Sequence, residues 1–398
     1  MGPDLMRRRV FYIPGYDPIP PRRYRELYRR EGRRQAQVSG YHLALTRSEH
    51  QGFGWGVDGR FGADHTHAAF EVLVWSDLVR GSMGASIAAT YGQLLRTAWT
   101  YIGSGALMRL MRLRLAPVLA ALYPIVMLLV QLALALATGA AIGWLALALL
   151  PAPLALVAGL GAVVAALMGF RRLDSRFFAY YLMHDYAFTA RDGGAYPPAL
   201  RDRLDQFADR IAAAMTEDWD EVLVIGHSSG AYLGVSVLAG LLRAGRLPGD
   251  ARLSFLSLGH VVPMAAFLPR ATALRADLEV MAKQDRVFWV DVTAPGDACC
   301  FGLCDPMAVC RDAPAPQSQP LVLSAAFSQT LSPAQQKSLS GRWFRKHFQY
   351  LCAFDRPGDY DYFAITAGPS SLRQRFGHRG HSPGRIARPV NRFAKAPP

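Results

Sequence analysis

The chain of 398 residues is 51% hydrophobic and carries a formal net charge of +14. That length and composition allow a large buried core, in one large domain or two small ones. The basic charge would suit nucleic-acid binding, but the sequence has no zinc-finger spacing, RNP-like aromatic motif or helix-turn-helix pattern. Nucleic acid is therefore not expected as a partner.

The N-terminal region combines strand-like and helical patterns. Residues 9–13 form a short apolar run with aromatics, and a turn sequence at 14–18 follows it. These features predict a strand and its loop. We predict a basic helix over 21–35 and further strands over 38–45 and 70–75.

The segment from 115 to 170 contains no Asp, Glu, Lys or Arg. One helix of that length would be about 84 Å long, whereas a bilayer core is about 30 Å thick and suits two passes. We therefore predict a transmembrane helical hairpin. Its turn lies either at Thr138-Gly139, which divides the segment evenly, or at 150–153, where two prolines would otherwise interrupt the second helix.

Arginines flank both ends of this segment and indicate its orientation. They are Arg109, Arg112 and Arg114 before it and Arg171, Arg172 and Arg176 after it. By the positive-inside rule both flanks face the cytoplasm, so we expect a two-span protein of a bacterial inner membrane. Arginines also crowd residues 22–34 and the tail 370–398, and we expect them to contact anionic inner-leaflet lipids. The basic, Pro/Gly-rich tail is predicted to be disordered.

Residues 223–232, LVIGHSSGAY, place a serine between two glycines. The apolar run 221–225 predicts a buried strand, and the apolar spacing over 231–243 predicts a helix. A nucleophile elbow requires this setting, because the sharp turn exposes the serine oxygen and the glycines allow close backbone approach. We therefore predict that Ser228 is a nucleophile rather than a serine in a structural turn.

The C-terminal half alternates helical and strand patterns. Helices are predicted over 175–188 and 199–215, and strands over 253–258, 287–292 and 321–327. This alternation predicts an α/β fold with a doubly wound, mostly parallel sheet that the transmembrane hairpin interrupts. The predicted organisation is the N-terminal part of the α/β domain (1–114), the hairpin (115–170), the C-terminal part of the domain (171–369) and the tail (370–398).

Neither a metal nor an organic cofactor is expected. Four of the five cysteines lie within 299–310 without a C-x-x-C pair, so free thiols are predicted for a reducing compartment. Four neighbouring residues have side chains that could bind a metal, but such a cluster is more typical of a solvated loop: Asp64, His65, His67 and Glu71.

Three motifs together resemble the α/β-hydrolase family, in particular its lipase and esterase members. They are GHSSG around Ser228, LSLGHVVP at 256–263 after the elbow, and IPGYDP at 13–18, where the family places its second oxyanion donor. The chain departs from the family pattern at His260, where a small residue is usual, and in lacking a His-Gly pair before the IPGYDP turn. The hairpin also lies where most members have no lid. The resemblance implies a hydrolase-type fold and a triad in the chain order Ser, Asp or Glu, His.

Two carboxylates are candidates for the acid of that triad. Asp291 lies within the predicted strand 287–292, whereas Asp297 lies in the Pro-Gly loop beyond it. A carboxylate in the loop can reach across to a histidine, so we favour Asp297.

The candidate base is His347, which follows the last predicted strand. His378 and His381 also lie downstream of the acid, but both are in the basic tail. His227 and His260 precede the acid in the chain, and the histidine next to the serine is expected to support the turn.

The oxyanion hole would use the backbone N–H of Ser229 and that of Gly15 or Tyr16. The resemblance then implies a membrane-anchored serine hydrolase that cleaves a carboxylic ester through an acyl-enzyme, like a lipase, esterase or thioesterase. Proximity to the bilayer favours a membrane-borne acyl ester, such as a lipid. An acyltransferase with the same acyl-enzyme and a catalytically silent membrane scaffold are the alternatives.

Overall fold

A computed structural model describes residues 5–48, 50, 52–84, 86–247, 249, 252–311, 317 and 319–394. In these residues an eight-stranded sheet forms the centre of the fold. The strands are β1 Met6–Ile13, β2 His42–Thr46, β3 Gly54–Phe61, β4 Asp64–Val72, β5 Glu221–His227, β6 Leu253–Leu258, β7 Val287–Thr293 and β8 Leu321–Ser324.

The strand order is β2-β3-β4-β1-β5-β6-β7-β8. All strands from β4 to β8 in that order run parallel, and β3 runs antiparallel to both of its neighbours. The α/β class and the mostly parallel sheet are therefore confirmed. The sequence pattern did not predict β3, because three glycines and an aspartate interrupt its apolar residues.

Helices cover both faces of the sheet. They are α1 Arg22–Ser39, α2 Ser76–Ser82, α3 Ile87–Gly103, α4 Ala106–Leu113, α5 Leu115–Ala146, α6 Ala152–Arg172, α7 Asp174–Phe177, α8 Ala179–Ala190, α9 Pro198–Ala214, α10 Ser229–Arg243, α11 Val262–Ala266, α12 Thr272–Lys283, α13 Phe327–Thr330, α14 Pro333–Leu339, α15 Trp343–His347, α16 Tyr362–Ala367 and α17 Leu372–Phe376. Along β5, Val222 and Val224 face one hydrophobic core, and Leu223 and Ile225 face the other. Both faces of this strand are buried, which explains its continuous apolar sequence.

The helices α5 and α6 are each long and apolar enough to cross a membrane. The turn between them lies after Ala146 and before Ala152, so the prolines mark the turn and the alternative at Thr138-Gly139 is wrong. Pro153 occupies the first turn of α6, where no backbone N–H is needed. The two helices pack closely, since a Cβ on Gly139 would lie 2.7 Å from the Gly159 carbonyl oxygen.

The two ends of α5 have different surroundings. At 32 residues this helix is about 48 Å long, which exceeds a bilayer core. Its first turns pack against the α/β domain, where Val118 and Leu128 are buried. Beyond them most large apolar side chains are exposed, and Leu149 in the turn is 87% exposed.

The described tail residues, 370–394, make specific contacts with the α/β domain, so the prediction of a disordered tail is wrong for these residues. Leu372 and Phe376 on α17 are buried in the domain. Arg385 forms an ion pair with the buried Asp305, and the Asn391 side chain is buried too. The prediction of disorder was based on average composition, which does not show that a few residues of the tail make specific contacts.

Candidate active site

Ser228 lies in a strained turn between β5 and α10. Its backbone has φ 58° and ψ −120°, a conformation that costs a residue with a side chain about 1–3 kcal/mol. Its N–H donates to the Leu258 carbonyl over 2.9 Å, which ties the turn to β6. A Cβ on Gly230 would lie 2.1 Å from the Ile13 carbonyl oxygen, and one on Gly226 would lie 2.4 Å from the Gly230 carbonyl oxygen. Both glycines of the G-x-S-x-G motif are therefore required sterically.

The Gly15 loop lies directly against this serine. A Cβ on Gly15 would lie 3.0 Å from the Ser228 Cβ and 3.5 Å from its Oγ. The backbone carbonyls on either side of Gly15 both accept side-chain hydrogen bonds. Trp75 Nε1 donates to the Pro14 oxygen over 2.9 Å, and the Tyr181 hydroxyl donates to the Tyr16 oxygen. These two hydrogen bonds hold the backbone of the loop in place beside the serine.

Several backbone N–H groups near Ser228 have no hydrogen-bond partner among the described residues. They include those of Gly15, Tyr16 and Ser229. Ser229 is the first residue of α10, and the N–H groups at a helix N-terminus carry partial positive charge. These N–H groups are the donors predicted for an oxyanion hole.

His347 and Asp297 form a buried hydrogen-bonded pair. His347 Nδ1 lies 2.7 Å from Asp297 Oδ2. The carboxylate also accepts from the Tyr350 hydroxyl over 3.1 Å and from the Cys299 N–H over 2.9 Å. Burial alone would raise the pKa of Asp297, but the charge of His347 and these hydrogen bonds together lower it. Asp297 is therefore ionised at neutral pH.

Ser228 and His347 line the same cavity, whose volume is about 620 Å³ including its open mouth. Between these two described residues the structure has no hydrogen bond from the Ser228 hydroxyl to the imidazole. Such contacts are often loose without substrate and tighten when it binds.

His227 positions the histidine loop. Its Nε2 lies 3.0 Å from the His347 carbonyl oxygen, and the two rings are 4.9 Å apart. Burial, and next the charge of His347, lower the pKa of His227 to about 3, so it is neutral and donates from Nε2. Gly259 provides room for the same loop, because a Cβ there would lie 2.7 Å from Tyr350 and 3.1 Å from His347. His227 was expected to support the turn at Ser228, but its side chain instead contacts the backbone of His347, 120 residues away, which local sequence could not identify.

The competing candidates lie outside this cavity. Asp291 is buried within β7 and accepts from Ser257 Oγ over 2.5 Å, and burial raises its pKa well above the ordinary value. His260 Nε2 lies 2.9 Å from the Cys304 carbonyl oxygen, and burial lowers its pKa to about 4. His381 Nδ1 accepts from the backbone N–H of Val322 in β8. The geometry therefore groups Ser228 with Asp297 and His347.

The predicted metal candidates are dispersed or already paired. Glu71 forms ion pairs with Arg9 and Arg210, and His67 Nδ1 lies 2.7 Å from an Asp58 oxygen.

The candidate ligand atoms of Asp297, Cys299 and His347 lie within 4.8 Å of one another, a spacing that a metal ion could use. However, burial raises the pKa of the Cys299 thiol, and the Asp297–His347 hydrogen bond already joins the other two.

The start of α5 contributes to the wall of the cavity. Ala120 of α5 lines the cavity, as do Trp343 and Phe344 from the helix that carries His347. The Tyr123 ring, also on α5, is 6.0 Å from that of Trp343, and its hydroxyl donates to the Phe177 carbonyl over 2.8 Å. The sequence pattern did not predict the contact between Tyr123 and Trp343, because the two residues are more than 200 positions apart.

Tyr350, the second side-chain donor to Asp297, was also missed. Its only sequence signal is its position three residues after His347.

No protein-family model matches the sequence, and comparison with curated proteins and with solved structures gives no significant match.

Proposed function

We propose that the protein is a membrane-anchored serine hydrolase of the α/β-hydrolase type that cleaves carboxylic esters through an acyl-enzyme. One observation carries the proposal: the strained Ser228 lines one cavity with His347, which is hydrogen-bonded to Asp297. Serine needs a nearby base, itself oriented by a carboxylate, to act as a nucleophile at neutral pH.

The proposed reaction proceeds in two halves. The Ser228 oxygen attacks the ester carbonyl while His347 Nε2 takes its proton, and Asp297 stabilises the resulting imidazolium. The developing oxyanion accepts hydrogen bonds from the N–H of Ser229 and that of Gly15 or Tyr16. The C–O bond to the alcohol then breaks, and His347 gives its proton to the departing alkoxide.

Water completes the proposed cycle. His347 removes a proton from a water molecule, whose oxygen attacks the acyl-serine carbonyl. The serine leaves with the proton held by His347, and a carboxylic acid is released. This sequence needs no metal or organic cofactor.

Two features support a membrane-borne acyl ester as the substrate. The apolar helices α5 and α6 would anchor the protein as a transmembrane hairpin, with the α/β domain on the cytoplasmic side of an inner membrane. The cavity is lined by Ala120 at the domain end of α5, which would bring the cavity close to the inner leaflet. The arginines flanking the hairpin would contact anionic headgroups there.

Covalent labelling with a fluorophosphonate probe tests the proposal. The detergent-solubilised wild type should be labelled, and Ser228→Ala should not. Ser229→Ala is the matched control, since it changes the neighbouring side chain, keeps the backbone N–H and should still be labelled. Absence of labelling in the wild type, or equal labelling of Ser228→Ala, would overturn the enzyme proposal and favour a silent scaffold.

A further inference from the structure

Asp185 is a carboxylate of the cavity that the proposed reaction does not use. It lies on α8, is half-buried, and lines the cavity together with Ser228 and His347. The rest of the lining is mainly apolar and aromatic, and includes Leu182 and Tyr232. A charged or ionisable group in such surroundings is costly unless a partner satisfies it.

Within the described part of the chain, the Asp185 carboxylate has no hydrogen bond and no ion pair. Only its backbone carbonyl is engaged, as acceptor from Thr189 Oγ1 over 3.4 Å. Asp297, by contrast, accepts from three groups around it. Asp185 is therefore available to a ligand, whereas Asp297 is occupied by the protein.

The titratable side chains that face Asp185, apart from His347, are tyrosines and a cysteine. The negative charge of Asp185 contributes, after burial, to raised pKa values of five phenols: Tyr16, Tyr101, Tyr181, Tyr186 and Tyr232. It also raises the pKa of the Cys299 thiol, so these six groups are neutral at neutral pH.

His347 is the one group here that favours the ionised form of Asp185. Burial has the larger effect and raises the pKa of Asp185 to about 7. Both the carboxylic acid and the carboxylate are therefore present near neutral pH.

We propose that Asp185 determines specificity by hydrogen bonding to a free hydroxyl on the alcohol part of the ester, so that the preferred substrates are partial esters of a polyol. This inference rests on the proposed hydrolase function. A hydroxyl can donate to the carboxylate and accept from the carboxylic acid, so it suits both forms. A phosphate would be repelled by the ionised form, and an ammonium group would gain only from that form.

Asp185 would discriminate between esters, because an ester without a free hydroxyl leaves its carboxyl group without a hydrogen-bond partner. A site built to hydrogen-bond a substrate hydroxyl rejects the analogue that lacks it, because its polar group then stays buried without a partner. A simple alkyl ester would leave Asp185 in that condition. The glycerol monoester of the same acid would not.

The test compares kcat/KM for three esters of one fatty acid: the glycerol monoester, the methyl ester and the choline ester. The wild type should prefer the glycerol monoester to the methyl ester by about tenfold or more. Asp185→Leu should lower that ratio at least about tenfold, because the methyl ester then leaves no carboxyl group without a partner and the glycerol monoester loses its hydrogen bond. Asp185→Asn should keep most of the preference, because an amide both donates and accepts. Asp202→Leu, at an exposed carboxylate on α9, should change neither rate.

Several outcomes would overturn the inference: no preference in the wild type, an unchanged ratio in Asp185→Leu, or a wild-type preference for the choline ester that Asp185→Asn abolishes. The wild-type comparison and Asp185→Asn decide the matter even where Asp185→Leu does not fold. Fluorophosphonate labelling distinguishes a failure of the role of Asp185 from a failure of the proposed hydrolase function. A labelled enzyme without hydroxyl preference contradicts only the role of Asp185, whereas an unlabelled and inactive wild type contradicts the hydrolase function as well.

Discussion

The helix that follows Ser228 and the hairpin are both strongly apolar, yet their surroundings differ. On α10, Leu233, Val235 and Leu238 are completely buried by the α/β domain. On α6, Val157 is 64% exposed, and only 11% of its most apolar stretch is buried within the protein. In the first region the apolar side chains pack the helix after Ser228 into the core, whereas in the second they form an exposed surface suited to lipid. Substitutions near Ser228 should therefore affect the proposed hydrolase activity, whereas changes in the hairpin should affect membrane attachment.

The largest effect is expected from the serine and histidine of the site. Ser228→Ala and His347→Ala should each lower kcat by about 10³-fold or more, and the double variant should lose little further activity, because the pair acts as one unit. Steady-state hydrolysis of a short activated ester measures this. All three variants should remain in the membrane fraction like the wild type. Retained activity in His347→Ala would exclude it as the base and return attention to His260.

A loss of about 10²–10⁴-fold is expected for Asp297→Asn, since an amide cannot stabilise the imidazolium or hold the same tautomer. Asp291→Asn is the matched control, and should act on the melting temperature rather than on kcat. If Asp291→Asn is folded and inactive while Asp297→Asn is fully active, the two carboxylates have been assigned the wrong way round.

The Asp297 pair should also stabilise the fold in a pH-dependent way. The folded-state pKa of Asp297 is lowered, so its contribution is present above the ordinary carboxyl pKa and is lost as pH falls through the lowered value. Thermal unfolding measured across the acidic range should show a shallower pH dependence in Asp297→Asn than in wild type. Identical pH dependence in the two proteins would contradict this contribution.

Membrane attachment should respond to none of these changes. The full-length protein should resist extraction by high salt and by alkaline carbonate, because burial of α5 and α6 in lipid is not screened by ions. A reporter fused to the C-terminus should be found on the cytoplasmic side. Recovery of the protein in the soluble fraction would contradict the membrane hairpin, and an external reporter would contradict its orientation.

The smallest effect is expected at Tyr350. Tyr350→Phe removes one of the hydrogen bonds to Asp297 and leaves the His347 contact in place, so kcat should fall by only about three- to tenfold. Phe354→Leu, a change in the same apolar core away from the carboxylate, serves as the control for packing. A loss as large as that of His347→Ala would mean that Tyr350 itself takes part in proton transfer.

The sequence by itself determined the features that depend on neighbouring residues. The turn at Ser228 was readable because backbone contact excludes a side chain at Gly226 and Gly230, which lie within two residues of it. The apolar segment 115–170 was readable because its lack of charge extends over two membrane lengths. Alternating patterns likewise predicted the α/β class.

Only the tertiary structure decided the features that depend on distant contacts. Asp297 rather than Asp291 meets His347 because β7 continues to Thr293 and buries Asp291 in the sheet. The tail is ordered because Leu372 and Phe376 find apolar partners on the domain, which its composition does not reveal. Asp185 reaches the cavity because α8 packs beside α5, and no local pattern encodes that arrangement.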